Sequence, residues 1–401
     1  GGGASITGAV GLTKAGAGTL FLFGTNANTG PLLISNGVVS VDRLTDGGVA
    51  GPWGAQSTNA ANLQLNGGTL RYTGAGGTMN RRFQVGAAGG AFDVSSGNST
   101  MTVNGGGWNI AGTLYKRGPG TLRFINYKDS TDPAATDLII EEGSVRFDSD
   151  YWFAGAIGPY PYDATANMKV IITNGASLFT VRAALGFQPA PGDGSLNDVT
   201  VEKDSTWNLS GANGVGVLTL RGGRVLGARL IPLYGLTLNV RASDTNSYCS
   251  SEWNPYYTGN TWALDVEDGA ADPDFIQDGP INANLSTLNR TGVGRMLYRN
   301  TAFGPVTLNI AAGGVMQLGD ATAAGSLGAG AGTVNNAGTL IYGHASAVTE
   351  GKTFAGTGSL VHAGSGVTVL TAANTYSGAT TISGGTLRVN GSLAAASAVT
   401  V

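Results

Sequence analysis

The chain has 401 residues, of which 67 are glycine, 42% are hydrophobic and 12% are charged, with a formal net charge of −3 at pH 7. This hydrophobic content is enough for a large core, whereas glycine at about one residue in six argues against a mainly helical protein. The glycines follow no three-residue period and only 13 prolines accompany them, which excludes a collagen. No basic cluster and no run of 18 apolar residues occurs, so we expect neither a nucleic-acid partner nor a membrane-spanning segment.

An internal repeat lies near both ends of the chain. Residues 16–41 and 364–389 align without a gap at a constant offset of 348, and nine positions are identical. In the first copy the identical residues are Gly16, Gly18, Leu22, Asn26, Gly30, Ile34, Ser35, Gly37 and Val41. Each copy begins at a glycine. A basic residue lies two positions before this glycine, and a leucine lies two positions before the basic residue. Two weaker copies share this start, so the four sets are Leu12/Lys14/Gly16, Leu114/Lys116/Gly118, Leu288/Arg290/Gly292 and Leu360/His362/Gly364.

The repeat unit is built of short strands. Residues 19–23, 63–65, 69–72, 217–220 and 367–371 are rich in β-branched and apolar residues, and Gly-Gly, Asn-Gly and Ser-Gly pairs separate such segments. A unit of about 20 residues with two or three short strands and glycine turns is typical of one rung of a parallel β-solenoid. We therefore predict an all-β fold, a right-handed parallel β-helix that is elongated and carries loop insertions. Glycines are expected at its corners.

These residues resemble the autotransporter-associated β-strand repeat, also called the passenger-associated transport repeat, of bacterial surface proteins. Its pattern is similar to L-x-K-x-G-x-G-T-L-x-L-x-G-x-N-x-Y-x-G-x-T-x-I-x-x-G-x-L-x-V. Residues 12–41 and 360–389 match it well, and residues 114–147 and 288–318 match it in part. The resemblance implies a β-solenoid stalk outside the cell, on a bacterial surface. It implies little about a ligand, because such repeats lie beneath many different activities.

Two segments interrupt the repeat-like sequence, and both are rich in aromatic residues. The predicted organisation is a β-solenoid with two repeat copies at 1–147, an aromatic insertion at 148–167, a β-solenoid at 168–240, an aromatic and acidic insertion at 241–280, and a β-solenoid with two repeat copies at 281–401. The candidate ligand-binding residues are Trp152, Tyr160, Tyr162, Trp253, Tyr256, Tyr257 and Trp262. Aromatic side chains on loops of a rigid fold bind sugars or partner proteins. The alternative is that these side chains pack over the core where the rungs are interrupted.

An acidic cluster lies in the second insertion. Its members are Asp265, Glu267, Asp268, Asp272, Asp274 and Asp278. Carboxylate oxygens can hold calcium, but this spacing matches neither an EF-hand nor a nonapeptide calcium repeat. We therefore interpret the cluster as solvated charge and assign no metal site and no cofactor.

Residues for catalysis are scarce. A Ser-His-Asp triad would need His344 or His362, and His362 occupies the basic position of the repeat. Another candidate set, Asp198, Glu202, Lys203 and Asp204, resembles the acidic and basic groups of carbohydrate-active β-helices only in composition. Cys249 has no partner for a disulfide within the chain, and we expect it to be buried and inert. We assign no catalytic residue and do not expect an enzyme.

The sequence therefore predicts an extracellular structural or adhesive β-solenoid rod on a bacterial cell surface, which binds a glycan or the surface of a host or neighbouring cell. Two alternatives stay open. One is a filament subunit in which residues 399–401 pair with residues 4–10 of the next copy, because repeat-like sequence runs to both ends. The other is a carbohydrate-active β-helix enzyme. The start at Gly1 without an initiator methionine favours a processed chain or a fragment.

Overall fold

The computed structural model describes residues 5–105, 109–125, 137–148, 169–181, 198–231, 235–255 and 258–401. Within these residues the chain forms short β-strands, and the single helical element is a 3-10 turn at Ala60–Asn62. Within each sheet the inner strands pair in parallel with the strand one turn earlier and the strand one turn later. The predicted all-β parallel β-solenoid is confirmed. The chain divides into two compact units, Gly1–Asn213 and Gly214–Val401.

In the first unit the strands stack in chain order into three main sheets. The first sheet contains Leu12–Lys14, Leu32–Ile34, Leu63–Leu65, Gln84–Val85 and Asn109–Ile110. The second sheet contains Thr19–Leu22, Val38–Val41, Thr69–Tyr72, Gly90–Val94, Leu114–Arg117, Leu138–Ile140, Lys169–Ile172 and Asp198–Glu202. The third sheet contains Gly77–Met79, Thr100–Asn104, Thr121–Ile125, Ser144–Phe147, Ser177–Thr180 and Thr206–Asn213. Thr7–Gly8 also pairs with Ala27–Asn28.

The second unit has the same organisation. One sheet contains Val217–Arg221, Thr237–Val240, Asn260–Val266, Leu285–Thr291, Thr307–Ile310, Thr333–Asn336 and Thr353–Ala355. Another contains Arg224–Leu230, Ser247–Cys249, Phe275–Gln277, Arg295–Tyr298, Val315–Leu318, Thr339–Tyr342, Ser359–His362, Thr380–Ile382 and Val399–Thr400, with Glu252–Trp253 beside Arg224–Leu230. A third contains Ala347–Glu350, Val367–Leu370 and Thr386–Val389.

The core consists of columns of inward side chains, one residue from each turn. Side chains alternate between the two faces of a strand, so every second residue faces the core. In the second sheet of the first unit one such column contains Val39, Leu70, Phe92, Lys116, Ile140, Ile172 and Val201, and all are buried. Because stacked aliphatic side chains leave water together, each turn is stabilised by its two neighbours.

Glycines lie at the corners of the turns. Their regular spacing in the sequence follows from the stacking of one corner on the next. Gly37 has a φ of 66° and Gly385 a φ of 56°, in the left-handed region that favours glycine. A Cβ atom on Gly37 would collide with the carbonyl oxygens of Gly16 and Gly18. Gly385 meets the equivalent carbonyls of the last repeat copy, those of Gly364 and Gly366. The interval of 19 residues between Gly18 and Gly37 is therefore one turn of the solenoid.

Within the part of the chain that the structure describes, no helix has the length and hydrophobicity needed to cross a bilayer.

Candidate functional site

The basic residue of the repeat lies inside the solenoid, where it binds the corners of two successive turns. Lys116 is fully buried in the apolar column between Phe92 and Ile140. Its Nζ donates to the carbonyl oxygens of Arg117 at 2.8 Å, Gly118 at 2.6 Å and, one turn later, Glu142 at 3.1 Å. An ammonium has three donors, which these three carbonyls satisfy. We call this arrangement the corner clamp.

The other repeat copies place a basic residue at the equivalent corner, and Lys14 forms the same corner clamp. Lys14 donates to the carbonyl oxygens of Ala15, Gly16 and, one turn later, Asn36. Arg290 donates to those of Gly292 and Gly294. In the last copy Nδ1 of the buried His362 lies 2.8 Å from the carbonyl oxygen of Gly384, also one turn later. The basic position of the repeat therefore has a structural role, and His362 is not placed as a catalytic base.

The repeat asparagine connects three turns, a role that the sequence analysis did not assign. Oδ1 of Asn26 accepts from the backbone N–H of Ile6, and Nδ2 donates to the carbonyl oxygen of Pro52. Oδ1 of Asn374 accepts from the N–H of Phe354 in the turn before, and Nδ2 donates to the carbonyl oxygen of Ser392 in the turn after. The identity of Asn26 and Asn374 in the two best copies was the signal for this shared position.

Two predicted ligand-binding residues lie in the core. Trp253 is 0% exposed and Trp262 is 1% exposed, and their ring centroids are 5.4 Å apart. Trp253 also stacks on Phe275 at 6.2 Å. Neither indole offers a face to a ligand, and this position matches the core-packing alternative. The other candidates lie outside the described residues, so ligand binding by them stays a prediction: Trp152, Tyr160, Tyr162, Tyr256 and Tyr257.

The segment that was predicted as the second insertion, 241–280, contributes strands to the sheets. Ser247–Cys249, Asn260–Val266 and Phe275–Gln277 pair with strands of neighbouring turns. In Asn260–Val266 the inward residues are Trp262, Leu264 and Val266, so the tryptophan belongs to an alternating core pattern.

Arginines pair with several carboxylates of the acidic cluster. Nη1 of Arg241 lies 2.8 Å from both Asp265 and Glu267. Arg295 contacts Asp272 at 3.0 Å, and Arg299 contacts Asp278 at 2.7 Å.

Asp274 is buried and accepts from the backbone N–H groups of Gly269 and Arg295. Among the described residues no group of three or more histidines, cysteines and carboxylates is arranged to hold a metal ion.

Two of the candidate catalytic residues, Asp198 and Glu202, lie at opposite ends of the strand Asp198–Glu202, and their backbones are about 13 Å apart. Asp204 follows in the turn, with a φ of 62°. Cys249 is buried as expected, and burial raises the pKa of its thiol to about 11, so little thiolate forms at neutral pH.

An open groove of about 1100 Å³ lies on the outward face of the second sheet of the first unit. Its lining includes Phe21, Ser40, Arg71, Asp93, Arg117 and Glu141. We call it the outer groove. Nε of Arg71 lies 2.7 Å from Oδ2 of Asp93, and Nε of Arg117 lies 2.7 Å from Oε2 of Glu141. The sequence analysis did not find this groove, because its residues come from different turns.

A comparison with protein-family models decides the nature of the repeat. A model described as passenger-associated-transport-repeat matches residues 12–41 and 355–389. These two segments are each similar to a passenger-associated transport repeat. The matched residues include the corner clamp of Lys14, His362 at the equivalent corner, and the asparagines Asn26 and Asn374. The transport repeat therefore corresponds to a defined set of contacts between turns.

The chain with these transport repeats is also similar to a curated protein. It is 31% identical over 232 residues to the adhesin BmaC autotransporter of Brucella suis biovar 1 (strain 1330). The alignment covers 54% of this chain and 6% of the adhesin, so the chain spans a small part of that protein's length. No solved structure matches the chain significantly. The transport repeats and the parallel β-solenoid identify a passenger-like fold of the kind that surface-exposed or secreted bacterial proteins carry.

Proposed function

We propose that this chain is part of an adhesive rod on a bacterial surface, in which the transport repeats form a stiff stalk that holds contact surfaces away from the cell. The observation that carries the proposal is the use of the repeat residues. Lys14, Lys116, Arg290 and His362 all bind backbone carbonyls of the solenoid. The repeat residues are therefore committed to architecture, which leaves outward side chains to contact a partner.

The similarity to an adhesin supports the adhesive part of the proposal. The partner would be a glycan or a protein on the surface of a host or neighbouring cell. The predicted loop aromatics Trp152, Tyr160 and Tyr162 are candidates for this contact. The described residues offer no observation that favours an end-to-end filament or a carbohydrate-active enzyme, so neither is proposed.

Adhesion can be measured with latex beads coated with the purified chain and incubated with cultured epithelial cells. We expect coated beads to bind in greater number than albumin-coated beads, and binding to fall when Trp152 and Tyr160 are both replaced by alanine. Trp253→Ala is unsuitable for this test, because the buried ring stabilises the core. Beads that bind no better than the albumin control would contradict an adhesive function.

A further inference from the structure

The outer groove runs across the strands, so each turn contributes one residue to its floor. In the sheet register Phe21 pairs with Ser40, and Ser40 pairs with Arg71. Asp93 pairs with Arg71 on one side and with Arg117 on the other. Adjacent parallel strands lie about 4.8 Å apart, so these five side chains form a row of about 19 Å. A ligand that occupies this row must be extended.

One end of the row carries an exposed aromatic ring beside a small residue. Phe21 is 59% exposed, whereas Leu22 in the same strand faces the core. Ser40, the next residue of the row, is 0% exposed, so it is covered by its neighbours and no ligand atom reaches it. The surface that a ligand can contact at this end of the row is therefore the Phe21 ring.

The rest of the row consists of arginine–carboxylate pairs. The Arg71–Asp93 and Arg117–Glu141 bonds each use Nε of the arginine, so the terminal guanidinium nitrogens remain for other acceptors. The groove lining also contains Glu142, so two arginines face three carboxylates. The balance is slightly negative, which disfavours a polyanion. Donors and acceptors that alternate along the row suit a ligand rich in neutral hydroxyl groups.

A peptide added as a further strand does not fit this surface. Strand addition needs a free sheet edge, and among the described residues Thr19–Leu22 is the edge strand of this sheet. The rest of the groove lies on strands that are paired on both sides, and a peptide added at the edge would run parallel to the strands and not along the row. Recognition must therefore come from the side chains. We propose that the outer groove binds an extended neutral oligosaccharide, with one sugar ring stacked on Phe21 and hydroxyl groups bonded to the Arg71–Asp93 and Arg117–Glu141 pairs.

This proposal deepens the adhesive function and rests on it. Isothermal titration of the intact chain with cellohexaose, chitohexaose and maltohexaose tests it, with a heparin hexasaccharide as the sulfated comparison. We expect at least one neutral hexasaccharide to bind, and Phe21→Ala to weaken its affinity about tenfold. Val49→Ala is the control, because Val49 is 52% exposed and does not line the groove, whereas the Phe23 ring lies 5.7 Å from the Phe21 ring and is not independent of it.

Arg71→Gln tests the polar part of the row. It removes the ion pair with Asp93, so oligosaccharide binding should weaken, while the thermal unfolding midpoint should change little because the pair is partly exposed. Failure of all three neutral hexasaccharides to bind at millimolar concentration would overturn the proposal. Tighter binding of heparin, or equal affinities of Phe21→Ala and Val49→Ala, would do the same. If no oligosaccharide binds but coated beads still adhere to cells, only the groove proposal is contradicted. If coated beads do not adhere to cells, the adhesive function is contradicted.

Discussion

At the scale of single residues, the corner clamp places a cation in an apolar column. Lys116 lies between Phe92 and Ile140, and burial lowers the pKa of its ammonium to about 8, although nearby Asp93 and Glu142 oppose this shift. A buried charge is tolerated only when its hydrogen-bonding groups are satisfied. The carbonyl oxygens of two stacked corners accept the hydrogen bonds of the ammonium. These carbonyls thereby find donors that the backbone does not supply at the corners.

We predict that Lys116→Met lowers the free energy of unfolding by about 2–4 kcal/mol, because three corner carbonyls lose their donor. Urea unfolding followed by circular dichroism measures the change. The matched control is Lys169→Met, since Lys169 is exposed in a strand of the same sheet and its loss should change stability by less than about 0.5 kcal/mol. Similar losses in the two variants would show that the clamp contributes no more than surface charge.

At the scale of strands, outward side chains also form columns. In the second unit Asn289, Asn309 and Asn335 stand in one column. Nδ2 of Asn309 donates to Oδ1 of Asn289 at 2.6 Å, and Nδ2 of Asn335 donates to Oδ1 of Asn309 at 2.7 Å. These bonds connect three turns side chain to side chain and reinforce the backbone pairing.

The position in this column sets the expected cost of a substitution. Asn309→Ala removes both bonds, whereas Asn335→Ala removes one. We expect Asn309→Ala to lower the free energy of unfolding by about 1–2 kcal/mol and Asn335→Ala by about half as much, because each net hydrogen bond contributes roughly 1 kcal/mol or less at a partly exposed site. Urea titration of the two variants and the wild type gives the ratio. A larger loss for Asn335→Ala would rule out a cooperative column.

Strand positions were accessible from the sequence where the repeat is regular. Residues 63–65 and 69–72 were predicted as strands and form Leu63–Leu65 and Thr69–Tyr72, while 367–371 became Val367–Leu370. Alternating apolar residues and glycine turns determine such strands locally. Between 244 and 262 the density of aromatic and polar residues obscured the alternation, although Trp262 faces the core like any inward residue.

The outer groove could not be predicted for a different reason. Its row depends on register between turns, and the turns differ in length. The chain takes 31 residues from Ser40 to its partner Arg71, but 22 from Arg71 to Asp93. The additional residues of the longer turn lie in loops outside the sheet, and no local sequence pattern indicates how long each loop is. The sequence therefore predicts which residues face outward in each strand but not which of them become neighbours.

At the scale of the whole molecule, stability depends on contacts between neighbouring turns, so one buried group acts on a few turns only. Glu350 is such a group. Its side chain is 0% exposed, and the backbone N–H of Leu327 donates to its two carboxyl oxygens at 3.1 and 3.0 Å. Burial raises the pKa of Glu350 to about 8, against the opposing effects of these bonds and of Lys352.

The raised pKa makes stability depend on pH in a defined direction. Between about pH 4.5 and pH 8 the folded chain keeps the Glu350 proton, whereas the unfolded chain releases it. The free energy of unfolding should therefore fall as pH rises through this window. A pKa shift of this size corresponds to a decrease on the order of a few kcal/mol. Glu350→Gln keeps the shape of the side chain and removes its titration, so the difference between pH 5 and pH 8 should shrink.

Urea unfolding of wild type and Glu350→Gln at both pH values isolates this contribution, because other titrating groups are common to the two proteins. Hydrogen exchange, corrected for its intrinsic pH dependence, should place the effect in Ala347–Glu350 and in Val367–Leu370, which pairs with it one turn later. Equal pH dependence in the two proteins would mean that Glu350 is ionised in the fold. A change in exchange spread evenly over the second unit would contradict the nearest-neighbour account of its stability.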